Sequence, residues 1–329
     1  MIASAPTIAD IRAAAHRIAA HRVETPLIES HALNERLGGR VLLKAESLQR
    51  TGSFKFRGAA NFILGLDPSE RRGGVVAYSS GNHAQGVAAA AKLAGIAATI
   101  VMPADAPAIK LANTRALGAE VVIYDRERES REAIAAEIQR ARGAVLAPPF
   151  EHPAIIAGQG TVGLELAQAA RARGVRMDAV LVPCGGGGLI AGIATALAEE
   201  APEAAVFAVE PVGFDDTRRS LAAGTRLANA AGGRTICDAL MAPMPGELTL
   251  SINRRRLAGG LAVDDDAVRA AVAYAFRVLK LVVEPGGAVG LAALLSGAFP
   301  AQGRTVVVVL SGGNVDAELL CRILAETPD

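Results

Sequence analysis

Cysteine is scarce in this chain of 329 residues, which contains only Cys184, Cys237 and Cys321. An odd number of cysteines set far apart predicts neither a disulfide framework nor the closely spaced pairs of a cysteine-ligated metal site. Free thiols in a reducing compartment are the simpler interpretation. The N-terminus also lacks a basic region followed by an apolar one, so no secretory signal is predicted and a cytoplasmic location is expected.

An excess of charge of one sign is also absent, as are long apolar runs. The chain has 34 Lys and Arg against 33 Asp and Glu, and no basic stretch is interleaved with aromatic residues. Its charge therefore gives no reason to expect nucleic acid or a membrane surface as a partner. No apolar stretch approaches the roughly 20 residues that a membrane-spanning helix needs. With 51% hydrophobic residues, the composition is that of a soluble globular protein with ample core material.

Lysine is the second scarce residue type, because arginine supplies nearly all of the positive charge. The five lysines are Lys44, Lys55, Lys92, Lys110 and Lys280. Lys55 lies between two phenylalanines in a glycine-bounded segment that we expect to be a turn. Loss of solvation in an apolar setting lowers the pKa of an ammonium group, and the resulting free amine is what a Schiff-base lysine needs. The alternative is a surface lysine whose aliphatic stem covers a phenylalanine.

Two other segments place polar groups or glycines between an apolar run and a helix. Residues 79–86, Ser-Ser-Gly-Asn-His-Ala-Gln-Gly, follow the apolar run 74–78. Residues 183–192, Pro-Cys-Gly-Gly-Gly-Gly-Leu-Ile-Ala-Gly, follow the strand-like run 179–182 and open an Ala-rich helix. Successive glycines before a helix N-terminus expose backbone N–H groups to an anion, and the helix dipole adds to the attraction. The glycine run therefore predicts a phosphate site.

Short apolar runs alternate with Ala-rich helices along most of the chain, after a helix predicted over residues 7–22. We predict strands at residues 40–44, 75–78, 98–102, 120–124, 179–182, 206–209 and 305–310. Strands that alternate with helices imply βαβ units and a parallel sheet. Run 305–310 is apolar throughout, as expected for a central strand covered on both faces. The predicted fold is α/β, with two open parallel or mixed-sheet lobes and the functional site in the cleft between them.

Four motifs follow one another in this sequence: Lys55 with its phenylalanines, the Ser80-Gly81-Asn82-His83 turn, the glycine run and Ser311-Gly312-Gly313-Asn314. In this order they resemble the fold-type II pyridoxal-phosphate enzymes, which are tryptophan synthase β-like in fold. The most similar branch is the threonine/serine dehydratase and serine racemase family. The resemblance begins at Thr25 and runs to Asp316, and because only a short tail follows, we expect no additional C-terminal regulatory domain.

The resemblance implies a domain organisation and an assembly. A large cofactor-binding domain would comprise residues 1–65 and 151–329, and a small domain would comprise residues 74–150. The protein would be a homodimer that takes a small-molecule amino acid as its substrate.

The resemblance also implies roles for individual residues. Lys55 would hold pyridoxal 5'-phosphate (PLP) as a Schiff base and take the α-proton of the substrate. The implied cofactor-binding residues are Phe54 and Lys55, Asn82 at the phenolic oxygen, Gly185, Gly186, Gly187 and Gly188 at the phosphate, and Ser311 at the pyridine nitrogen. The implied substrate-binding residues are Ser79, Ser80, Asn82, His83 and Arg131.

Three of these residues have simpler alternatives. Ser80 would be a second catalytic residue, opposite Lys55 where racemases place a second proton carrier, or it caps the helix that starts near His83. Ser311 could be a plain turn residue. Arg131 would reach the distal end of the substrate and suit a β-carboxylate, or it is an exposed helix arginine paired with Glu127 or Glu132.

The segment 210–216 resembles the divalent-metal loop of the same family. Glu210 and Asp216 would supply carboxylate oxygens, and Phe214 would supply a backbone carbonyl. Such hard oxygen ligands suit Mg²⁺ or Ca²⁺. The alternative is a loop whose carboxylates are simply solvated.

The predicted function is that of an ammonia-lyase. It would remove water from L-serine, L-threonine or a relative such as 3-hydroxyaspartate by PLP-dependent β-elimination, leaving a 2-oxo acid and ammonia. Within the same fold, a serine or aspartate racemase is the alternative.

Two alternatives lie outside this class. Gly186-x-Gly188-x-x-Ala191, with Glu210 at the end of the next strand, fits a Rossmann fingerprint and an NAD-dependent oxidoreductase. That interpretation leaves Lys55 and the turns at 80–83 and 311–314 unexplained. A non-enzymatic module that binds a phosphorylated ligand would explain the glycine run but not the lysine.

Overall fold

The strands in the described part of the chain form two separate sheets. The computed structural model describes residues 4–79, 81–106 and 108–327. Within these residues the strands are β1 Leu27–Glu29, β2 Arg40–Ala45, β3 Val75–Tyr78, β4 Ala98–Pro103, β5 Glu120–Tyr124, β6 Val145–Leu146, β7 Ala179–Pro183, β8 Ala205–Pro211, β9 Gly259–Val263 and β10 Thr305–Leu310. The prediction of an α/β fold with parallel and mixed sheets is confirmed.

The larger sheet has six strands in the order β1-β2-β10-β7-β8-β9. β1 is antiparallel to β2, and the other neighbours are parallel. β10 lies inside this sheet, with Val307 opposite Leu42 on one side and Val180 on the other. Its alternating valines enter two different hydrophobic clusters, one on each face of the sheet. This double burial explains why residues 305–310 are apolar throughout.

The smaller sheet has four parallel strands in the order β5-β4-β3-β6 and uses only residues 75–146. The larger sheet takes strands from both sides of this segment. The division into a large domain of residues 1–65 and 151–329 and a small domain of residues 74–150 stays a prediction. The strands β1, β6 and β9 were not predicted, because the first two are very short and β9 begins with two glycines.

Helices connect and cover the strands. In the described part of the chain they are α1 Ile8–Ile18, α2 His31–Leu37, α3 Lys55–Leu64, α4 Pro68–Arg71, α5 Asn82–Ala94, α6 Ala108–Ala116, α7 Arg131–Arg142, α8 Pro153–Ala172, α9 Gly188–Glu200, α10 Asp216–Ala223, α11 Glu247–Arg256, α12 Asp265–Arg277, α13 Pro285–Leu295 and α14 Ala317–Glu326. α1 begins after Thr7, which forms a capping box with Asp10, and it ends four residues before the predicted end at residue 22.

Among the described residues, no helix combines the length and the apolar character that crossing a bilayer requires. The cytoplasmic location and the homodimer stay predictions.

A buried ion network joins the larger sheet to the start of α3. Arg57 is fully buried, and its guanidinium donates hydrogen bonds to Glu46 at 2.8 Å and to Glu165 of α8 at 2.6 and 2.8 Å. Lys44 of β2 donates to Oε2 of Glu165 at 2.5 Å. Burial alone would raise the pKa of Glu165, but the charges and hydrogen bonds of Arg57 and Lys44 lower it below its usual value. Each charge is therefore paired, as buried charges must be.

The network predicts a large effect of one substitution on stability. Arg57→Ala should lower the free energy of unfolding by about 3–5 kcal/mol, because it leaves two buried carboxylates with only part of their compensating charge. Arg12→Ala is the matched control, since Arg12 forms an ion pair with Glu200 but its side chain is 57% exposed. The control should cost less than about 1 kcal/mol. Denaturant unfolding measures both, and similar losses for the two variants would contradict the interpretation.

Candidate active site

A cleft lies at the carboxyl ends of strands from both sheets. In the described part of the chain, its lining includes Phe54, Lys55, Tyr78, Ser79, Asn82, His83, Lys110, Arg131, Pro149, Phe150, Gln159, Gly185, Gly186, Gly187, Gly188, Asp238, Glu284 and Ser311. All predicted cofactor-binding residues line this cleft, as do Ser79, Asn82, His83 and Arg131. Ser80 lies outside the described residues. Glu210, Phe214 and Asp216 do not line the cleft.

Lys55 is the first residue of α3. The prediction that it lies in a turn is therefore wrong. Phe56 points into the hydrophobic core, so only Phe54 of the flanking pair lines the cleft. Lys55 Nζ donates to the carbonyl of Pro149 at 2.8 Å and lies 5.2 Å from the centre of the Phe54 ring. Burial lowers the pKa of Lys55 to about 8, with Glu284 opposing the shift. An amine with this pKa can act as a nucleophile and as a base near neutral pH.

The glycine run connects β7 to α9, whose first residue is Gly188. A Cβ atom on Gly186 would lie 2.4 Å from the ring of Phe150, so a side chain cannot be accommodated there. Thr249 of α11 holds the run in place by donating to the carbonyl of Gly186 at 2.7 Å. The N-terminus of α9 therefore lies at the wall of the cleft, where its N–H groups and the helix dipole can attract an anion.

Asn82 and His83 are the first two residues of α5 and both are buried. A ring nitrogen of His83, Nε2, lies 2.8 Å from the carbonyl oxygen of Ala147. Burial, with the charge of Lys55, lowers the pKa of His83 to about 3, so the ring is neutral and Nε2 must donate this bond. Nδ1 is then an acceptor. A contact of His83 with a substrate carboxylate would therefore come from its backbone N–H.

Arg131 is the first residue of α7 and lies at the rim of the cleft. Its guanidinium carbon is 5.1 Å from the centre of the Tyr78 ring, and Nε donates to Glu132 at 2.9 Å. The side chain is 46% exposed. Arg131 thus pairs with Glu132, as a surface arginine would, while it lines the cleft.

Sequence reasoning missed three charged residues of the cleft. Lys110 of α6 donates to Asp238 at 2.7 Å. This ion pair joins two parts of the cleft lining that lie 128 positions apart in the sequence. Glu284, just before α13, is buried and accepts from Asn82 at 2.6 Å. The scarcity of lysine could have indicated Lys110. The cue for Glu284 was its position before Pro285-Gly286-Gly287, at a helix start.

Glu210 and Asp216 lie outside the cleft, behind the start of the glycine run. Burial and the neighbouring Asp216 raise the pKa of Glu210 to about 8, and burial raises the pKa of Asp216 to about 6. Glu210 accepts from the backbone N–H groups of Thr217 and Arg218. The dinucleotide alternative requires that Glu210 bind a ribose. Its carboxylate is not available for that contact, because it is buried and already bonded to the backbone.

The oxygen Oδ2 of Asp216 is buried without a hydrogen-bond partner among the described residues. Two buried carboxylates with an unsatisfied oxygen are the donor set that a hard cation uses. Among the described residues, no group of three or more His, Cys, Asp and Glu side chains is arranged to hold a metal ion. A cation here would depend on these two carboxylates and on backbone carbonyls.

Comparison with known proteins agrees with this geometry. L-threo-3-hydroxyaspartate ammonia-lyase from Pseudomonas sp is 41% identical over 315 residues, which cover 96% of this chain and 97% of the relative. Serine racemase from Oryza sativa subsp. indica is 41% identical over 321 residues, which cover 96% of this chain and 93% of the relative. The crystal structure of a threonine deaminase from T.th. superposes with a TM-score of 0.89 at 47% identity, covering 94% of this chain and 99% of that chain.

A family model described as pyridoxal-phosphate dependent enzyme matches residues 18–312. That segment contains the buried lysine, the glycine run and the serine after β10, which the fold gathers in one cleft. The predicted resemblance is thereby confirmed, and the chain belongs to the family of pyridoxal-phosphate dependent enzymes.

Proposed function

We propose that this enzyme is an ammonia-lyase that removes water from a β-hydroxy amino acid, after which a 2-oxo acid and ammonia are released. The observation that carries the proposal is Lys55, a buried amine with a pKa lowered to about 8 in the same cleft as the glycine run at the N-terminus of α9. The ammonia-lyase name of a relative that is 41% identical over nearly the whole chain supports the reaction class.

The groups that line the cleft fit PLP in their donor chemistry. The N–H groups of Gly185, Gly186, Gly187 and Gly188 would bind the phosphate, and Phe54 would pack against the ring. Asn82 would donate to the phenolic oxygen, and the hydroxyl of Ser311 would donate to the pyridine nitrogen. When bound, PLP supplies a sink for the electrons released at the α-carbon. A hydroxyl at the pyridine nitrogen makes that sink weaker than a carboxylate would, which suits reactions in which a β-leaving group departs quickly.

The protein's own groups would handle the proton and the substrate carboxylates. Lys55 would take the α-proton, and the carbonyl of Pro149, 2.8 Å from Nζ, would accept a hydrogen bond from the ammonium that results. The N–H groups at the start of α5, next to Ser79, would bind the α-carboxylate. Arg131 would meet a second carboxylate at the distal end, as in 3-hydroxyaspartate.

Serine racemisation is the second candidate, because the rice relative of equal identity carries that name. It would require a proton carrier opposite Lys55. We propose Ser80 for this role, by its place in the sequence two residues before Asn82.

We further propose that Glu210, Phe214 and Asp216 bind Mg²⁺ or Ca²⁺. The unsatisfied oxygen of Asp216 and the raised pKa values of both carboxylates support this site. A divalent cation would offset the repulsion between two carboxylates that burial brings together.

Lys55→Ala tests the reaction class. Without this amine, the visible absorbance of bound PLP should be lost and turnover should fall by several orders of magnitude. Lys92→Ala, on the exposed face of α5, is the matched control and should leave both unchanged. A Lys55→Ala variant that keeps its colour and its turnover would exclude the mechanism.

A substrate panel with Arg131→Ala tests specificity. Release of 2-oxo acid is measured from L-serine, L-threonine and 3-hydroxyaspartate, and chiral chromatography detects racemisation in the same samples. If Arg131 binds a β-carboxylate, Arg131→Ala should lower kcat/KM for 3-hydroxyaspartate about ten- to a hundredfold and affect serine much less. Arg128→Ala, with a side chain 86% exposed, is the control. Equal, small effects of both variants on all substrates would mean that Arg131 is a surface residue.

Chelation tests the cation site. Without a cation, the raised pKa values mean that the folded state holds more protons than the unfolded state, so stability should fall as pH rises from about 4 to about 8. A bound cation should offset this loss, because it binds the ionised carboxylates of the folded state. The melting temperature at pH 8 should therefore drop in chelator and recover with Mg²⁺ or Ca²⁺. Glu210→Gln should remove the response, and Glu318→Gln, on the surface, should keep it; a melting temperature of the wild type unaffected by chelator would refute the site.

A further inference from the structure

A chain of hydrogen bonds runs beside the position proposed for the PLP ring. Asn314 Nδ2 donates to the carbonyl of Thr51 at 2.8 Å and to Asn82 Oδ1 at 2.7 Å. Asn82 Nδ2 donates in turn to Glu284 Oε1 at 2.6 Å. The four residues come from segments far apart in sequence. They connect α5, which follows a strand of the smaller sheet, with three other segments: the one after β2, the one before α13 and the one after β10.

The direction of every bond in this chain follows from its first member. The carbonyl of Thr51 can only accept, so Asn314 must present its NH₂ group on that side. The same NH₂ group reaches Asn82, which must therefore present its oxygen to Asn314. The NH₂ group of Asn82 is then directed to Glu284, whose carboxylate accepts. One hydrogen of Asn82 Nδ2 is left over.

Both ends of the chain are held by rigid backbone. Thr51 has a φ of 63°, a left-handed conformation that is unusual for a non-glycine residue. The N–H of Glu284 donates to the carbonyl of Gly312 at 3.0 Å, and a Cβ on Gly312 would lie 2.0 Å from Glu284 Oε1. The carboxyl group therefore has little freedom to move, and the Asn82 amide cannot turn over without losing both of its bonds.

Charged residues of both signs lie near the carboxyl group of Glu284 and affect its pKa. Burial, with Asp238, raises the pKa of Glu284 to about 7, while Asn82, Lys110 and Lys55 oppose the shift. Its geometric role and its charge can be separated, because glutamine keeps an acceptor oxygen and removes the ionisation.

We propose that Glu284 and Asn314 are positioning residues that fix the orientation of the Asn82 amide, so that Nδ2 and not Oδ1 is offered to the phenolic oxygen of PLP. The inference rests on the proposed function, because it concerns the same cofactor. Asn82 would then act only as a donor, which favours the ionised form of that oxygen. Neither Glu284 nor Asn314 needs to touch PLP for this role.

A double-mutant cycle on PLP binding tests the proposal. Purified enzyme is stripped of PLP and titrated with it, and the visible absorbance band gives the apparent Kd and the band position. Glu284→Ala and Asn314→Ala should each weaken binding about five- to tenfold and shift the band. In an Asn82→Ala background, neither substitution should have a further effect. Glu284→Gln should stay within about twofold of wild type, because it keeps the acceptor. Asn113→Ala and Glu137→Gln, both exposed, are the controls.

The outcomes separate this proposal from its alternatives. Losses that are the same with and without Asn82 would overturn it and indicate purely structural roles, which would also appear as a lower melting temperature of the PLP-free protein. Unchanged affinity and band position in Glu284→Ala and Asn314→Ala would overturn it as well. If Glu284→Ala does not fold, Asn314→Asp replaces it, since that change removes the donor hydrogens at nearly constant size and should weaken binding by at least as much. A wild type without any visible band would instead refute the proposed function.

Discussion

The pairing of the buried Arg57 with Glu46 and Glu165 is the constraint on which the active site depends. It fixes the first turn of α3 against α8 and against the segment that follows β2, and Lys55 lies two residues before Arg57 in the sequence. A helix start held in this way presents the lysine to the cleft from a rigid element, and Phe56 anchors the same turn in the core. The charges of Arg57, Glu46 and Glu165 can be buried there because they compensate one another.

Parallel sheets supply the other half of the arrangement. The carboxyl ends of β3, β7 and β10 converge, so the turns that follow them bring Asn82, the glycine run and Ser311 together. Side chains that pack behind these turns also fix their conformation. Phe150 fills the space over Gly186, and Thr249 holds the carbonyl of the same residue. The electrostatics of the cleft then follow from burial, which lowers the pKa values of Lys55 and His83 and raises that of Glu284.

Local sequence patterns sufficed to predict seven of the ten strands in the described part of the chain and to single out the turns that follow β3, β7 and β10. The run 305–310 could be recognised as a central strand because both of its faces are buried, and the glycine run could be recognised because it precedes a helix. The pattern failed at Lys55, where Gly52 and Gly58 suggested a turn although Lys55 is the first residue of a helix whose next two residues, Phe56 and Arg57, are buried. It also failed for contacts between distant segments. Glu284 meets Asn82 across 202 positions, and Lys110 meets Asp238 across 128. No periodicity in one segment encodes a partner that only the folded topology brings close.

The position of β10 in the larger sheet has a consequence for how the chain folds during synthesis. β2 leaves the ribosome early, but its parallel neighbour is β10, with Leu42 opposite Val307 near the other end of the chain. The smaller sheet is contiguous in sequence and can form while synthesis continues. The larger sheet cannot close until the last strand is inserted between β2 and β7, and the cost of joining such distant segments makes this step slow. Until then, the edge of β2 that later pairs with β10 is unpaired. The nascent chain is therefore most exposed to misassembly at β2, shortly before Lys55 in the sequence.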